Sequence, residues 1–297
     1  MTTDLIPGSV NTLTVSPGTY PESNYIAAWI DFNQNGIFET TEKLGTILIS
    51  GAAPLTGTIP FTVPLGAVTG TTMIRVREVF NKSTIDPCSA YSFGETEDYN
   101  INIVGASKTL NLTVFLEGIY SGSGTMHQAN NGSGPQYGVG ISDQITVELR
   151  NSANYSIIEH TASNVDLGTT GLASITIPNS FSGSYYISIR HRNSITTTSA
   201  SPVAFSASTI GYSFDLPSKA YNDNLKQMPD GHFAIFGGDV NQDGVVDALD
   251  LVAVDNDAAA FITGYNANDV NGDGNVDETD IIFINSNATD FISKREP

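Results

Sequence analysis

Short apolar runs, separated by Pro, Gly and polar turns, occupy the chain up to about residue 238. Runs of this length and spacing predict β-strands. In the first region the predicted strands are Tyr25–Ile30, Thr46–Ser50, Thr58–Val63, Thr72–Phe80 and Tyr99–Val104. In the second they are Thr109–Tyr120, Gln144–Arg150, Ala173–Pro178, Gly183–Arg192, Pro202–Ser206 and Gly211–Leu216. Both regions therefore predict β-sandwiches.

Two departures from this strand pattern divide the chain further. Ser121–Gly140 is rich in Gly, Ser and Asn and predicts a long loop, either mobile or used for binding. Beyond residue 238, Ala248–Val254 and Glu278–Asn285 predict two short helices that pack on each other. The expected fold class is mainly β, with two β-sandwich domains (1–104 and 105–238) followed by a small α-helical module (239–297).

Each predicted helix follows an acidic stretch, DVNQDGVVDALD at Asp239–Asp250 and DVNGDGNVDETD at Asp269–Asp280. Oxygen-bearing side chains alternate around a Gly, and such a loop can surround a hard cation with six or seven oxygens. Calcium suits this set better than magnesium, which keeps its water shell. The alternative is an acidic turn that binds nothing. Counting side chains at positions 1, 3, 5, 9 and 12 and the carbonyl at position 7, the candidate ligands are Asp239, Asn241, Asp243, Val245, Asp247, Asp250, Asp269, Asn271, Asp273, Asn275, Asp277 and Asp280.

A third stretch near the start, DFNQNGIFETTE at Asp31–Glu42, fits the same twelve-residue template. It follows a predicted strand, and two Asn replace Asp, so we expect weaker binding there. A plain Asn-Gly turn is the alternative. The sequence thus predicts two calcium ions in 239–297 and a candidate third at 31–42, whose ligands would be Asp31, Asn33, Asn35, Glu39 and Glu42.

Charge and motifs exclude several function classes. The net charge is −19, and residues 239–297 hold 13 acidic against 2 basic residues. Such a chain is unsuited to nucleic acid or an anionic membrane surface. Residues 1–15 contain no signal peptide, and no apolar run could span a bilayer. Hydrolase, nucleotide and zinc-protease signatures are absent and the His residues are scattered, so we expect no enzyme activity, with His191 a surface or packing residue.

The repeated acidic loops, each followed by a helix, resemble a type I dockerin module. The resemblance implies calcium at the loop positions named above and docking to cohesin domains in carbohydrate-degrading assemblies. Positions 10 and 11, often Ser or Thr in other dockerins, are here Ala248–Leu249 and Glu278–Thr279. Only Gly237 and Gly238 separate an apolar run from the first loop. We therefore expect the module to pack on the middle sandwich as a fixed cap.

The segment GETEDY at Gly94–Tyr99, together with Trp29–Phe38, resembles the GEVED domain of secreted bacterial proteins. Glu95, Glu97 and Asp98 would complete or neighbour the Asp31 site, or form a solvated strand edge. GEVED domains usually carry an upstream cysteine, so the unpaired Cys88 suggests that the chain starts inside the domain; a free buried thiol is the alternative. The middle region resembles a β-domain of surface and secreted proteins of Bacteroidetes-type bacteria, with no activity implied.

Together these features predict a calcium-binding array of non-catalytic modules, secreted or at the cell surface, used for adhesion or anchoring. The expected partners are a cohesin-like protein, a carbohydrate or another surface ligand. The alternative is the C-terminal accessory region of a secreted hydrolase acting on polysaccharide or protein, whose dockerin-like module docks to a cohesin-type partner.

Overall fold

The structure, a computed structural model, describes residues 3–18, 23–51 and 55–297. The chain divides into two compact units, Met1–Ala106 and Ser107–Pro297. The predicted fold class is confirmed, because both units are built from strands and two helices lie near the C-terminus. Among the described residues, every helix is too short or too polar to cross a membrane.

The N-terminal unit holds a five-stranded sheet, ordered β1-β7-β6-β3-β4, and a two-stranded sheet, β2-β5. Its strands are β1 Asp4–Leu5, β2 Val10–Val15, β3 Asn24–Ile30, β4 Lys43–Ile49, β5 Gly57–Thr62, β6 Gly70–Phe80 and β7 Gly94–Ile103. On one face Ile30 and Ile74 form a core cluster, and on the other Trp29 packs with Val79. Successive side chains of a strand point to opposite faces, so the large sheet is covered on both sides.

The second unit begins with a sandwich of a sheet ordered β12-β11-β14-β15, with β16 beside β14, and a sheet ordered β13-β8-β17. Its strands are β8 Ser107–Thr113, β9 Tyr120–Gly122, β10 Thr125–Met126, β11 Ile141–Asn151, β12 Ile158–Gly168, β13 Leu172–Pro178, β14 Ser184–His191, β15 Ser194–Thr198, β16 Val203–Ala204, β17 Thr209–Ser213, β18 Lys226–Gln227 and β19 Phe233–Ala234. Leu110 and Leu112 of β8 meet Val147 and Ile187 in one buried cluster. Each such buried aliphatic side chain contributes about 1.5–3 kcal/mol.

Two helices follow, α1 Ala248–Ala259 and α2 Glu278–Thr289. Each starts at an Asp, Asp247 or Asp277, whose side chain accepts the backbone N–H two residues on, which satisfies a free donor of the first turn. Both helices are longer than predicted. The prediction ended too early because their last turns lack an apolar repeat. Val254 and Ile284 are fully buried and belong to the same cluster as the sandwich core.

The junction between sandwich and helices is short and hydrogen-bonded. The N–H of Gly237 donates to Glu117 Oε2 at 2.9 Å, and the N–H of Gly238 donates to the Asn193 carbonyl at 2.7 Å. Asn287 of α2 donates to the same Glu117 oxygen at 2.7 Å. Residues 107–297 therefore form one compact unit, as the short junction predicts. The boundary at residue 238 stays a prediction.

Several strand predictions needed correction. Thr109–Tyr120, predicted as one strand, is divided, since β8 ends at Thr113 and β9 starts at Tyr120, and the sequence did not predict β1, β10, β15, β18 or β19. β2 and β12 are absent from the sequence prediction because their exposed positions are polar and their apolar runs are weak. β7 starts at Gly94 and therefore includes the whole GETEDY segment. Cys88 is exposed, so the alternative of a buried thiol is wrong.

Candidate metal centres

The first acidic loop, 239–250, is folded by a set of hydrogen bonds from backbone N–H groups to its own side chains. Asp239 Oδ2 accepts from Gly244 N at 3.1 Å, and Asn241 Oδ1 accepts from Asp243 N at 2.8 Å. Asp243 Oδ1 accepts from Val245 N at 3.0 Å. Gly244 has a φ of 91°, a conformation that a side chain would strain. The side chains at positions 1, 3 and 5 are therefore held inside the turn.

Asp250, at position 12, closes the first loop from the start of α1. One carboxylate oxygen accepts from Val240 N at 2.9 Å and from Asn241 N at 3.1 Å, and the other accepts from Asp247 N at 3.0 Å. Asp247, at position 9, caps α1. Helix and loop are therefore joined by the same two carboxylates.

The second loop, 269–280, repeats this arrangement. Asp269 Oδ2 accepts from Gly274 N at 3.1 Å, Asn271 Oδ1 from Asp273 N at 2.8 Å and Asp273 Oδ1 from Asn275 N at 2.9 Å. Asp280 closes the loop by accepting from Asn271 N at 2.9 Å and Asp277 N at 3.0 Å. The two loops are therefore structural copies.

The loop at 31–42 shares these bonds although it leads from β3 to a short 3-10 turn, Thr40–Glu42, and not to an α-helix. Asp31 Oδ2 accepts from Gly36 N at 2.9 Å. Glu42, one methylene longer than Asp, accepts from Phe32 N at 2.8 Å and Glu39 N at 3.2 Å. The sequence resemblance among the three stretches therefore reflects one local conformation.

Side chains at positions 3, 5 and 9 of the third loop contact one another. The amides of Asn33 and Asn35 donate to Glu39 at 2.9 and 3.0 Å. Hydrogen bonds within each loop fix the side chains at the predicted positions in similar arrangements, and these side chains remain predicted ligands, as do the carbonyls of Val245 and Asn275.

Electrostatics single out position 1 of the two C-terminal loops. Burial, together with the charges of Asp250 and Asp243, raises the pKa of Asp239 to about 7. Burial and Asp280 likewise raise the pKa of Asp269 to about 7, although Arg192 opposes this shift. Asp239 is 2% exposed, and its Oδ1 is buried without a hydrogen-bond partner. A buried carboxylate oxygen without a partner is costly, and a cation would remove that cost.

The donor chemistry fits calcium. Among the described residues, no three His, Cys, Asp or Glu side chains are grouped closely enough to form a metal site by themselves. The predicted ligand set also uses Asn amides and backbone carbonyls, which calcium accepts alongside carboxylates. The unpartnered oxygen of Asp239 and the mutual repulsion of the Asp side chains are the observations that favour a cation.

The GETEDY segment neighbours the third loop without contributing an observed contact to its oxygens. Asp98 forms a two-armed salt bridge with Arg75, at 2.6 and 2.7 Å, which lowers the pKa of Asp98. The Arg75 guanidinium lies 4.9 Å from the ring centroid of Phe38 in the loop. Glu95 and Glu97 are exposed, as in a solvated strand edge.

The sequence did not predict a buried set of contacting Ser, His and Asp side chains in the sandwich. His191 Nδ1 lies 3.0 Å from Ser194 Oγ, and its Nε2 lies 3.1 Å from Asp143 Oδ2. Ser194 is 2% exposed and Asp143 is fully buried, so the hydroxyl cannot reach a substrate. Of the two predicted roles of His191, surface or packing, this geometry fits packing, and the three residues have a structural role.

The helices expose apolar side chains at related positions. Leu249 and Val252 of α1 are 65% and 57% exposed, and Ile282 of α2 is 61% exposed. Val252 and Ile282 occupy the same place in the two loop-helix copies. We call these three residues the helix patch, because an exposed apolar surface of this kind is a candidate contact for another protein.

Comparisons with known proteins found similar solved structures and family models. No curated protein sequence matches it. Solved structures with similarity include an N-terminal and a C-terminal interface mutant of a type II cohesin-X-dockerin complex from Acetivibrio cellulolyticus. Each is 15% identical and covers 61% of this chain and 95% of the matched chain, with TM-scores of 0.38 and 0.36. Salmonella alpha-2-macroglobulin reacted with methylamine is 9% identical over 70% of this chain and 13% of its own, with a TM-score of 0.22.

Family models match two segments. Residues 25–102 match the GEVED domain, and residues 237–287 match the Dockerin type I domain. The second match contains both C-terminal loops and nearly all of α2. The chain therefore carries a GEVED domain and, near its C-terminus, a type I dockerin domain.

Proposed function

We propose that this chain is a calcium-stabilised docking module of the cell exterior, without a catalytic role of its own. The observation that supports this most is the buried, unpartnered Asp239 oxygen inside a type I dockerin domain. Bound calcium would neutralise the clustered carboxylates and stabilise the loops, so that binding free energy adds to folding free energy. Millimolar extracellular calcium is sufficient even for weak sites of this class.

The proposed ligands are the side chains at positions 1, 3, 5, 9 and 12 and the carbonyl at position 7 of each loop. The two C-terminal loops would bind calcium more tightly than the loop at 31–42, because each has four carboxylates among its proposed ligands and that loop has three. In the third loop Asn35 stands where the other two have Asp, and Asn33 and Asn35 both donate to Glu39. Bound calcium would neutralise the charges of these loops, and these side chains and carbonyls would hold it.

The partner that we propose is a cohesin-type domain that contacts the helix patch. Leu249 stands where other dockerins often carry Ser or Thr, so this interface would be more apolar than theirs. Apolar side chains contribute most to binding when they are central in an interface and surrounded by polar residues. Asp255 of α1 and Glu278 of α2 are exposed and would supply polar side chains at the edge of the interface.

Calcium titration of the full chain by calorimetry, with and without Asp243→Ala plus Asp273→Ala, tests the metal proposal. We expect at least two sites in the wild type and loss of the two tighter ones in the double variant. Heat of binding that is absent in the wild type, or unchanged in the double variant, would contradict it.

Capture of the full chain by a panel of immobilised type I and type II cohesin domains, in calcium and in EDTA, tests the docking proposal. Leu249→Asp plus Ile282→Asp should abolish capture without changing the calcium titration. Val139→Asp, at a fully exposed position of the sandwich, is the matched control and should leave capture intact. Calcium binding with no capture by any cohesin would retain the metal proposal and reject this partner.

A further inference from the structure

The second acidic loop lies unusually close to the sandwich. A Cβ atom on Gly118 would be 2.0 Å from the Val270 carbonyl oxygen, and one on Gly272 would be 2.7 Å from Ile119 Cγ2. A Cβ on Gly274 would be 2.8 Å from the backbone N of Gly132. Because contacts this short exclude any side chain, the loop and residues 118–132 approach backbone to backbone. We call residues 118–132, with Arg192 and Asn193, the cradle.

The cradle also binds the backbone carbonyls of the loop. Asp269 O accepts from Arg192 Nη1 at 2.6 Å and from Asn193 Nδ2 at 2.9 Å. Asn271 O accepts from His127 Nε2 at 2.8 Å, and Gly272 O accepts from Asn130 N at 2.9 Å. The backbone of positions 1, 3 and 4 is therefore fixed by groups outside the loop.

The first loop has different surroundings at the same positions. Position 4 is Gln242, whose amide donates to its own Asp239 carbonyl at 2.6 Å. Around Gly244 the neighbour is the flexible side chain of Lys294. The backbone N–H of Lys294 donates to Gly244 O at 2.7 Å. The first loop meets the sandwich at its entry, through Gly238, and through one longer bond from Gln242 to Ser194 O at 3.3 Å.

This asymmetry explains one of the few differences between the copies. Gln242 and Gly272 both have left-handed backbone, with φ of 60° and 70°. The loop conformation therefore accepts Gln at position 4, and Gly is required in the second copy because Ile119 and Ala129 occupy the space. The difference at position 4 therefore follows from the packing of the second loop against the cradle and not from the loop conformation.

We propose that the cradle positions the cation site of the second loop, so that calcium binding there and the order of residues 118–137 stabilise each other. The proposal rests on the calcium binding proposed above. Groups that hold ligand-bearing residues from outside raise metal affinity by fixing ligand geometry, and a loop already ordered by the protein loses less entropy on binding. Linkage makes the effect reciprocal. The Gly/Ser/Asn-rich stretch then serves as a binding loop for a segment of its own chain.

Gly272→Gln separates docking from ligand chemistry. It leaves every proposed ligand in place and introduces the residue that the first loop already carries, yet its side chain would displace Ile119 and Ala129. In a full-length Asp243→Ala background, where only the second C-terminal loop is intact, we expect calorimetry to show about tenfold weaker calcium binding. The reciprocal control is Gln242→Gly in an Asp273→Ala background, where only the first loop is intact. The loss of calcium affinity in this control should be smaller.

Hydrogen exchange measures the reciprocal effect directly. In the wild type, calcium should slow amide exchange in peptides from 118–137 by about tenfold. In Gly272→Gln that response should disappear, while peptides from the first loop and α1 still respond to calcium. Exchange in 118–137 that is independent of calcium in the wild type would overturn the proposal.

A milder variant covers the case in which Gly272→Gln does not fold. His127→Phe removes one donor to the loop carbonyl, and we expect about threefold weaker calcium binding at the second loop. His160→Phe is the matched control, because His160 packs against Phe181 and makes no contact with the loop. If both C-terminal loops bind calcium and neither cradle variant weakens the second, only the coupling is rejected. If neither loop binds calcium, the proposed function is rejected with it.

Discussion

The loop at 31–42 and the pair at 239–250 and 269–280 share one conformation in different surroundings. In all three, position 1 accepts from the Gly at position 6 and position 12 accepts from the start of the loop. The loop at 31–42 connects a strand to a 3-10 turn, and the other two loops lead into helices. Twelve residues therefore determine the turn, whichever element follows it.

The surroundings change the electrostatics. In the N-terminal loop, Asn33 and Asn35 donate to Glu39, so the polar groups satisfy one another. In the C-terminal pair, burial raises the pKa values of Asp239 and Asp269, and an Asp239 oxygen has no partner. Asp31 and Glu42 are buried as well. The comparison therefore teaches that local hydrogen bonds shape the loop, whereas a buried carboxylate oxygen without a partner, as in Asp239, creates the need for a cation.

The largest expected effect concerns the buried network that anchors Arg192 beside the second loop. Asp143 is fully buried and contacts His191, Arg192 and Tyr265. Asp143→Asn removes the negative charge that these partners face and leaves the buried Arg192 guanidinium without a counter-charge. It should destabilise the C-terminal unit by about 3 kcal/mol. Asp98→Asn, at the half-exposed pair with Arg75, is the matched change in the N-terminal unit and should cost less than about 1 kcal/mol. Denaturant unfolding of the full chain checks both values, and equal losses would contradict the difference in burial.

The buried network around Asp143 also makes the stability of the C-terminal unit depend on pH. Burial alone would raise the pKa of Asp143, but His191, Arg192 and Tyr265 hold it well below its ordinary value. A depressed folded-state pKa stabilises the protein above the unfolded-state pKa of about 3.9, and this stabilisation is lost as the pH falls towards the folded-state value. The C-terminal unit should therefore lose stability below about pH 4, and Asp143→Asn should remove that part of the loss. A variant with the wild-type acid profile would argue against it.

Removing calcium by chelation should have the next largest effect. It should destabilise the C-terminal unit more than the N-terminal unit. Each C-terminal site contributes about 1.4 kcal/mol when free calcium exceeds the dissociation constant about tenfold, so the two sites together contribute about 2.8 kcal/mol. EDTA should therefore lower the melting temperature followed by the helical circular dichroism of α1 and α2. Trp29 is the chain's one Trp and is buried next to the N-terminal loop, so its fluorescence reports the other unit and should shift less. Equal shifts of both signals would break the comparison.

Converting the N-terminal loop towards the C-terminal type has an intermediate effect. Asn35→Asp adds a carboxylate at position 5 and keeps the oxygen that accepts from Ile37 N at 2.8 Å. Calcium affinity there should rise about tenfold, because affinity follows the ligand charge count. Trp29 fluorescence during a calcium titration measures it. Thr41→Asp adds the same charge at an exposed non-ligand position, and an equal gain in that control would contradict a ligand role for position 5.

The smallest effect concerns the Gly at position 6. Gly36 has a φ of 80°, and a Cβ there would meet no atom within 4 Å, so Gly36→Ala should cost only the backbone strain of about 1 kcal/mol. Gly274→Ala should cost more, because its Cβ would also lie 2.8 Å from Gly132 N. Thermal unfolding monitored for each unit compares them, and a larger cost at Gly36 would contradict the docking of the second loop.

The loops themselves were predictable, since oxygen side chains at alternate positions around a Gly specify their own hydrogen bonds. The two helices were predicted at the right places, with starts fixed by Asp247 and Asp277. Their lengths were underestimated because the last turns carry Asp, Asn and Ala, which have no apolar period. The polar strands β2 and β12 were missed for the same reason, since their pairing depends on neighbours distant in sequence.

The sequence by itself determined the mainly β architecture, the two acidic loop-helix copies and the candidate ligands, because each of these follows from residues close together along the chain. Only the tertiary structure decided that the copies differ. The cradle brings Gly118, His127 and Arg192 to one loop across a long stretch of sequence, and no local pattern reports such a contact. Burial, which raises the pKa values of Asp239 and Asp269, likewise depends on what packs around a loop and not on its own twelve residues.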